Sequence, residues 1–455
     1  MFKTLVNALK VKDIRNRILY TLMILLVVRI GCTLPIPGID TEVVKSTLTS
    51  LLGDSNSILN AFTGGSFEQM SIFALNVTPY ITSSIIMQLL TIAIPALEEM
   101  QRDGEDGRKK MTAITRYVTV LLGIMESAGL AISLHNAKAL GTGANAFTVV
   151  VMIVTLTAGS ILVMWLGEQI TDRGIGNGIS IVLVINIISR LPQDLSNLFE
   201  QFVFGKAPAT AILAVVIIFA IIIAMVVLVI ILNDGVRKIP VQYAKKMQGR
   251  KMVGGQTSNI PLKVNTSGVI PIIFAQSIMQ FPIIICSFIG YNGTGVWAEI
   301  LKGLNSAYWC KPSQPIYSLG LLLYIVLIVF FAYFYTSITF NPLMIADNMK
   351  KQGGFIPGIR PGKPTSDYLN KILNYIVFIG AIGLIIVSVI PYFFNGVFGA
   401  SVSFGGTSLI IIVSVVLETM KQVESQMLVR NYKGLLEDEQ RSSNRMIYDH
   451  PVIFC

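Results

Sequence analysis

Ten apolar stretches run through this chain, and its positive charge gathers in alternate gaps between them. The stretches lie at roughly 18–34, 76–97, 112–134, 147–167, 177–190, 208–232, 266–290, 316–338, 371–391 and 406–428. About 20 mostly apolar residues cross the hydrocarbon core of a bilayer. Ala209–Leu232 meets that need with no charge, glycine or proline, whereas 177–190 is short and needs its neighbours to shield its ends. Charged residues make up 13% of the 455 and hydrophobic ones 53%. A soluble domain carries about 25% charge. The pattern therefore predicts an all-α membrane protein of ten transmembrane helices.

Of the 35 Lys and Arg, 28 fall in segments that share one side of the membrane, and 7 fall on the other. Basic residues stay on the cytoplasmic side during insertion, so this bias predicts that both termini are cytoplasmic. The net charge of +10 is thereby accounted for by topology and does not require a nucleic-acid ligand. The first apolar stretch follows the basic run Lys10–Arg17 without a small-residue cleavage site, so no cleaved signal peptide is expected. Met1–Leu19 is amphipathic enough to lie along the membrane surface.

Catalytic and metal motifs do not emerge. Cys32, Cys286, Cys310 and Cys455 are scattered, and His135 and His450 form no ligand pair, so no metal or cofactor is expected. Gly174–Gly178 has some likeness to a nucleotide loop but has no preceding strand and no following Lys, and reads as a flexible cytoplasmic turn.

Five stretches precede the outer segment 191–207 and five follow it. An odd number per half gives the halves opposite orientation, an arrangement of many transport proteins. The expected organisation is an N-terminal half at 1–190, an outer hinge loop at 191–207, a C-terminal half at 208–430 and a cytoplasmic tail at 431–455. Two long basic cytoplasmic loops, 233–265 and 341–370, serve either as topological anchors or as docking surfaces. Residues 55–75 are too short and too broken by Thr63-Gly64-Gly65-Ser66 to span. They form either a surface-lying helix or a segment folded back into a pore.

Uncharged polar residues load two of the stretches. Thr82, Ser83 and Gln88 lie in the second, and Thr266, Gln276 and Gln280 in the seventh. They fit hydrogen bonds across a seam between the two helices, or ordinary helix–helix contact. Glu126 is the only ionisable residue well inside a stretch. An ion-coupled secondary transporter of small solutes, the alternative to a channel, would use it as a coupling acid.

Eight blocks carry a resemblance. They are LPIPGID at 34–40, NAFTGG at 60–65, PYITSSIIMQLL at 79–90, EDGRKKM at 105–111 and WLGEQITDRGIGNGISI at 165–181. IPLKVNTSGVIP at 260–271, FNPLMIADNMKKQGGFIPGIRPG at 340–362 and FGGTSLIIIV at 404–413 complete the set. With these the chain resembles the SecY family, the channel-forming subunits of the bacterial protein translocase. The tail after Leu436 departs from that pattern.

The resemblance implies an hourglass channel in two inverted five-helix halves, with no active site. It would export unfolded preproteins across the cytoplasmic membrane of a bacterium and release membrane segments sideways into lipid. A pore ring would be formed by Val77, Ile81, Ile179, Leu183, Ile273 and Ile411, with Val77 and Leu183 departing from the family's isoleucine. The plug would be the segment near 55–75, including Asn60, Ala61, Phe62, Thr63, Gly64 and Gly65. The lateral gate would use Thr82, Ser83, Gln88, Thr266, Gln276, Gln280 and Phe281. Arg237, Lys245, Lys246, Arg250, Lys251 and Arg360 would dock the SecA motor and the ribosome. SecE and SecG would be the partner subunits, and the signal peptide would enter between channel and lipid.

Overall fold

The structure, a computed structural model, describes residues 9–37, 39, 41–52, 63, 65–136, 140, 145–204, 208–243, 246–248, 251–253, 257–289, 295–398 and 407–427. A helix lies at each of the ten apolar stretches. These are α1 (Lys12–Thr33), α3 (Thr78–Ala93), α5 (Gly104–Asn136), α6 (Ala146–Arg173), α7 (Gly178–Phe202), α8 (Pro208–Asp234), α9 (Ile270–Ile289), α11 (Leu319–Thr339), α13 (Lys363–Phe398) and α14 (407–427). Between them lie α2 (Thr41–Leu52), α4 (Pro95–Arg102), α10 (Val296–Leu304) and α12 (Pro342–Lys351). Among the described residues seven helices are long and apolar enough to cross a membrane by themselves, and α3 with α4 passes that test as a pair bent by 109°.

The chemistry of the spans explains why they are helical. α8 is rich in Ile and Val, residues that favour strands in water. In lipid every backbone N–H and C=O must be satisfied within the segment, which overrides that preference. Pro95 removes a donor and restricts Ile94, so α3 ends there at an extended residue and the chain turns into α4. α13 has 36 residues, a length of about 54 Å against a hydrocarbon core of about 30 Å. Part of it therefore stands outside the hydrocarbon core.

Two expectations about loops are corrected. The outer hinge loop at 191–207 is mostly helix, because α7 runs on to Phe202 with Pro192 inside it. The polar residues Arg190, Gln193 and Asp194 read as loop, but Asp194 is buried against the protein. The basic segment 233–265 is a β-hairpin. β1 (Val236–Tyr243) pairs antiparallel with β4 (Thr257–Lys263), and β2 (Lys246–Gln248) with β3 (Lys251–Val253). The strand β5 (Gly354–Phe355) joins the other edge of β1 at Gln242 and Tyr243. Ile239, Val241 and Leu262 face inward against Leu369 and Ile372 of α13, so the protruding end of α13 is the post on which the sheet stands.

Two large apolar clusters fill the membrane region. One is built from α8, α9, α11 and α13 of the C-terminal half, around Tyr324, Ile328 and Ile272. The other is built from α1, α6 and α7 of the N-terminal half, and it includes Ile411, with Ile412 and Val415 packed on it. α14 thus bridges the two, since its Leu409 and Ile410 are buried in the C-terminal cluster while Ile411 is buried in the N-terminal one. Toward its C-terminal end Lys421 Nζ bonds Asp234 of α8 at 2.8 Å.

Candidate functional site

A cavity of about 470 Å³ lies where the two halves meet. Its apolar wall comes from four helices: Ile81 and Ile85 of α3, Ile179 and Leu183 of α7, Val269, Ile270 and Ile273 at the start of α9, and Ile411 and Val415 of α14. Residues four apart on a helix share one face. Each helix presents such a pair: Val77 with Ile81, Ile179 with Leu183, Val269 with Ile273, Ile411 with Val415. All of these but Val77 line the cavity and make an aliphatic collar about one helical turn, or about 5.4 Å, thick. Val77, Leu183 and Ile411 are 2%, 7% and 2% exposed in one cluster, with Ile81 and Ile179 packed against it. Ile273 meets the others across the cavity.

The turn 174–178 sets this wall in place and is packed tightly, contrary to the flexible turn expected. A Cβ at Gly178 would overlap the carbonyl oxygen of Gly167. Both glycines are needed for α7 to pack close to α6, which fixes Ile179 and Leu183. Asn177 caps α7 by accepting from the Ser180 N–H at 3.4 Å.

One rim of the cavity is polar, with Tyr80, Ser84, Gln88, Thr112, Thr171, Asp172, Asn177 and Ser180. Arg116 of α5 and Glu168 of α6 pair there at 2.8 Å. Nothing in the sequence pointed to this pair, since its members lie on different helices 52 residues apart.

Residues 65–77 fold back among the helices as successive turns. Phe67, Met70, Phe73, Ala74, Leu75 and Val77 are all buried. Gly31 and Gly159 make room for them: a Cβ at Gly31 would overlap the Phe73 ring, and one at Gly159 the carbonyl oxygen of Ile72. The surface-helix reading is thus excluded for this stretch. Non-helical backbone at such depth is tolerated because protein surrounds it. Glu68 pairs with Lys45 at 2.7 Å and with Arg190 at 3.3 Å. Burial opposes ionisation of Glu68, but the two cations outweigh it and hold the carboxyl below its ordinary range. Of the expected plug residues, Thr63 is buried and Gly65 adopts a left-handed conformation at φ 83°. Asn60, Ala61, Phe62 and Gly64 lie outside the described residues.

Comparison with known proteins decides what this architecture is. The SecY family model matches residues 71–420. A protein translocase subunit SecY from Streptomyces coelicolor is 44% identical over 451 residues, covering 96% of this chain and 100% of that protein. The Corynebacterium glutamicum subunit is 41% identical over 449 residues, covering 95% and 99%. The chain belongs to the SecY family. Solved structures share the fold at lower identity. One is a SecY protein whose plug domain is described as stabilizing the closed state of the translocation channel and maintaining a membrane seal. It is 18% identical with a TM-score of 0.61, over 90% of this chain and 92% of that one. Another is Sec61 in a canine ribosome–channel complex, 19% identical with a TM-score of 0.56 over 90% and 92%.

The sequence leaves two readings open for the polar residues of α3 and α9, bonds across a seam or ordinary helix–helix contact. Among the described residues no side-chain hydrogen bond joins α3 to α9. Thr82 Oγ1 donates to Thr78 O at 3.1 Å and Ser83 Oγ to Thr115 O of α5 at 2.8 Å. Thr266 Oγ1 donates to Lys263 O at 2.8 Å, and Gln276 Nε2 to the Tyr392 hydroxyl of α13 at 3.5 Å. Each of these groups is satisfied within its own half, by nearby backbone or by a neighbouring helix. Gln88 lines the cavity, Gln280 is half-buried and Phe281 is 64% exposed toward the outside. What joins α3 to the C-terminal half is apolar contact from Ile85 and Leu89. Such a contact can part without breaking any side-chain hydrogen bond between the two helices.

The residues expected to dock partners that fall within the described part lie on the β-sheet beside α13 and on the turn that precedes it. Arg237 is exposed on β1. Arg360 is exposed on a turn between Gly358 and Gly362, at φ 82° and 101°, and its carbonyl accepts from Thr365 Oγ1 at 2.8 Å. Lys246 and Lys251 lie on β2 and β3, while Lys245 and Arg250 fall outside the described residues. Glu126 is half-buried in α5, and the neighbouring Ser127 hydroxyl bonds Thr157 of α6 at 2.9 Å.

Proposed function

We propose that the chain is the central, protein-conducting subunit of a Sec translocase in the cytoplasmic membrane of a bacterium, with both termini in the cytoplasm. The observation that carries this reading is the aliphatic collar contributed by both halves to one cavity. A passing polypeptide presents every kind of side chain, so its conduit must bind none of them strongly. Aliphatic walls offer no hydrogen bonds to a substrate, and a narrow apolar constriction dewets when empty and excludes ions. An apolar seam between α3 and α9 lets hydrophobic segments leave for lipid by partitioning. Nothing in the comparisons supports the solute transporter.

In this reading Val77, Ile81, Ile179, Leu183, Ile273 and Ile411 form the pore ring. The segment near 55–75 is the plug, and α3 and α9 form the gate. Energy comes from partners: ATP hydrolysis by SecA, translation by the ribosome, and the membrane potential. SecE and SecG complete the channel. The cations on the β-hairpin suit ribosomal RNA phosphates, with binding that weakens as salt rises.

The test is reconstitution. Vesicles holding this chain with SecE and SecG should protect a preprotein from external protease when SecA and ATP are supplied. Arg360→Glu should lower that SecA-driven export several-fold while the chain inserts normally. No protection above vesicles that lack the chain would sink the reading, and full export by Arg360→Glu would remove the docking role of that turn.

A further inference from the structure

The segment 65–77 combines features that rarely coincide. Among the described residues only three other than glycine have φ in the left-handed region, and two of them, Met70 at 45° and Asn76 at 50°, lie here. Such backbone persists only where surrounding structure enforces it. Buried polar atoms in the segment also go without partners: Ser71 Oγ, on a residue 0% exposed, and Asn76 Nδ2, on a residue 1% exposed. Unmade bonds of this kind count against the seated state, because water satisfies both groups once the segment leaves. Backbone bonding to the rest of the protein is sparse. An isolated bridge pairs Pro35 with Ser71; the Ile36 N–H donates to Met70 O at 3.0 Å, the Ile72 N–H to Leu34 O at 2.9 Å, and Ser160 Oγ of α6 to Asn76 O at 3.0 Å.

Against this stands one charged cluster. Glu68 joins Lys45 of α2 and Arg190 of α7, so two helices reach a single carboxylate on the segment. Glu68 and Arg190 are about one-fifth exposed, at 19% and 20%, whereas Lys45 is 60% exposed. Lys45 makes the shorter contact and Arg190 the better-shielded one, since screening by water and salt weakens an exposed pair more.

We propose that residues 65–77 are a spring-loaded element and that Glu68, held by Arg190 and Lys45, is the electrostatic latch that keeps it seated. Strain and unpaired polar groups push the segment toward release, and the latch opposes them. An event that moves α7 against α2 would divide the two cations and free the segment without any direct contact to it. The consequence for sealing rests on the plug reading above; the latch itself does not.

The test separates the two. Ala74, 0% exposed, is replaced by Cys as a reporter in a background with the four native cysteines changed to Ala. Alkylation is followed in vesicles holding the complex with its partner subunits, and ion conductance is read in parallel. Glu68→Gln should speed alkylation by about tenfold, the size of a lost charge-assisted bond. Arg190→Gln and Lys45→Gln should each act in the same direction. Ser71→Ala, which removes an unpaired hydroxyl, should slow alkylation. If Glu68→Gln and Arg190→Gln label at the unaltered rate, the latch is refuted. Faster labelling with unchanged conductance would uphold the latch and refute the plug reading.

Discussion

Replacing Ile81 and Ile273 together by Asn should turn a channel that is silent at rest into one that leaks ions. Both side chains border the cavity and are half-buried, so an amide there meets open space and the fold is not forced to bury it. An amide prefers water to an apolar environment by about 1–3 kcal/mol on protein scales. Each 1.4 kcal/mol is a factor of about ten in an equilibrium. Two such groups facing one another should raise the wetted fraction of the constriction, and with it the closed-state conductance, by roughly tenfold to a hundredfold. Export should survive, because a wetted collar is still open to an unfolded chain. Planar-bilayer recordings of the complex without preprotein make the measurement. A double variant as tight as the unaltered channel would mean that the seal lies elsewhere.

A single methyl group at Gly159 should have an effect of similar size. Its Cβ would overlap the carbonyl oxygen of Ile72, a backbone atom that cannot swing aside as a side chain can. Overpacking of this kind costs about 1–3 kcal/mol, and here it falls directly on the seat of residues 65–77. Gly159→Ala should therefore shift that segment outward and increase resting conductance by about tenfold. Gly123→Ala is the matched control on α5, where the nearest atom to a new Cβ is Thr157 Cγ2 at 3.8 Å. It should leave conductance unchanged. Equal behaviour of the two variants would show that the seat of 65–77 does not bear on sealing.

Much of the fold was legible because lipid simplifies the problem. A bilayer demands long apolar helices, and all ten apolar stretches carry one. The errors came where the chain leaves lipid. Residues 236–243 alternate, with Ile239 and Val241 inward and Lys238, Pro240 and Gln242 outward. That period of two is a strand signal, and it was masked by the basic residues around it. The continuation of α7 past Arg190 was hidden for a related reason, since its polar residues read as loop although Asp194 is buried against protein.

The candidate site was legible in a different way. Val77 and Ile81, or Ile179 and Leu183, are ordinary core residues by composition, and only the resemblance singled them out. The matching four-residue spacing on all four collar helices becomes meaningful once the helices are seen around one cavity. The contacts of Glu68 had no sequence signal at all. Arg190 lies 122 residues away, and ion pairs between distant segments leave no local pattern. The polar residues of α3 and α9 bond within their own halves, Ser83 to α5 and Gln276 to α13, and residue content does not reveal which neighbour a polar side chain will meet.

The central claim is that an unfolded chain passes through this aliphatic collar. Photocrosslinking probes placed at Ile81 and Ile273 of a channel holding a stalled preprotein test it most directly, with Ile217 of α8, 47% exposed, as the outward-facing control. Adducts to the preprotein from both collar positions and none from Ile217 are the expected result. Adducts confined to Ile217, with the collar positions silent, would contradict the account.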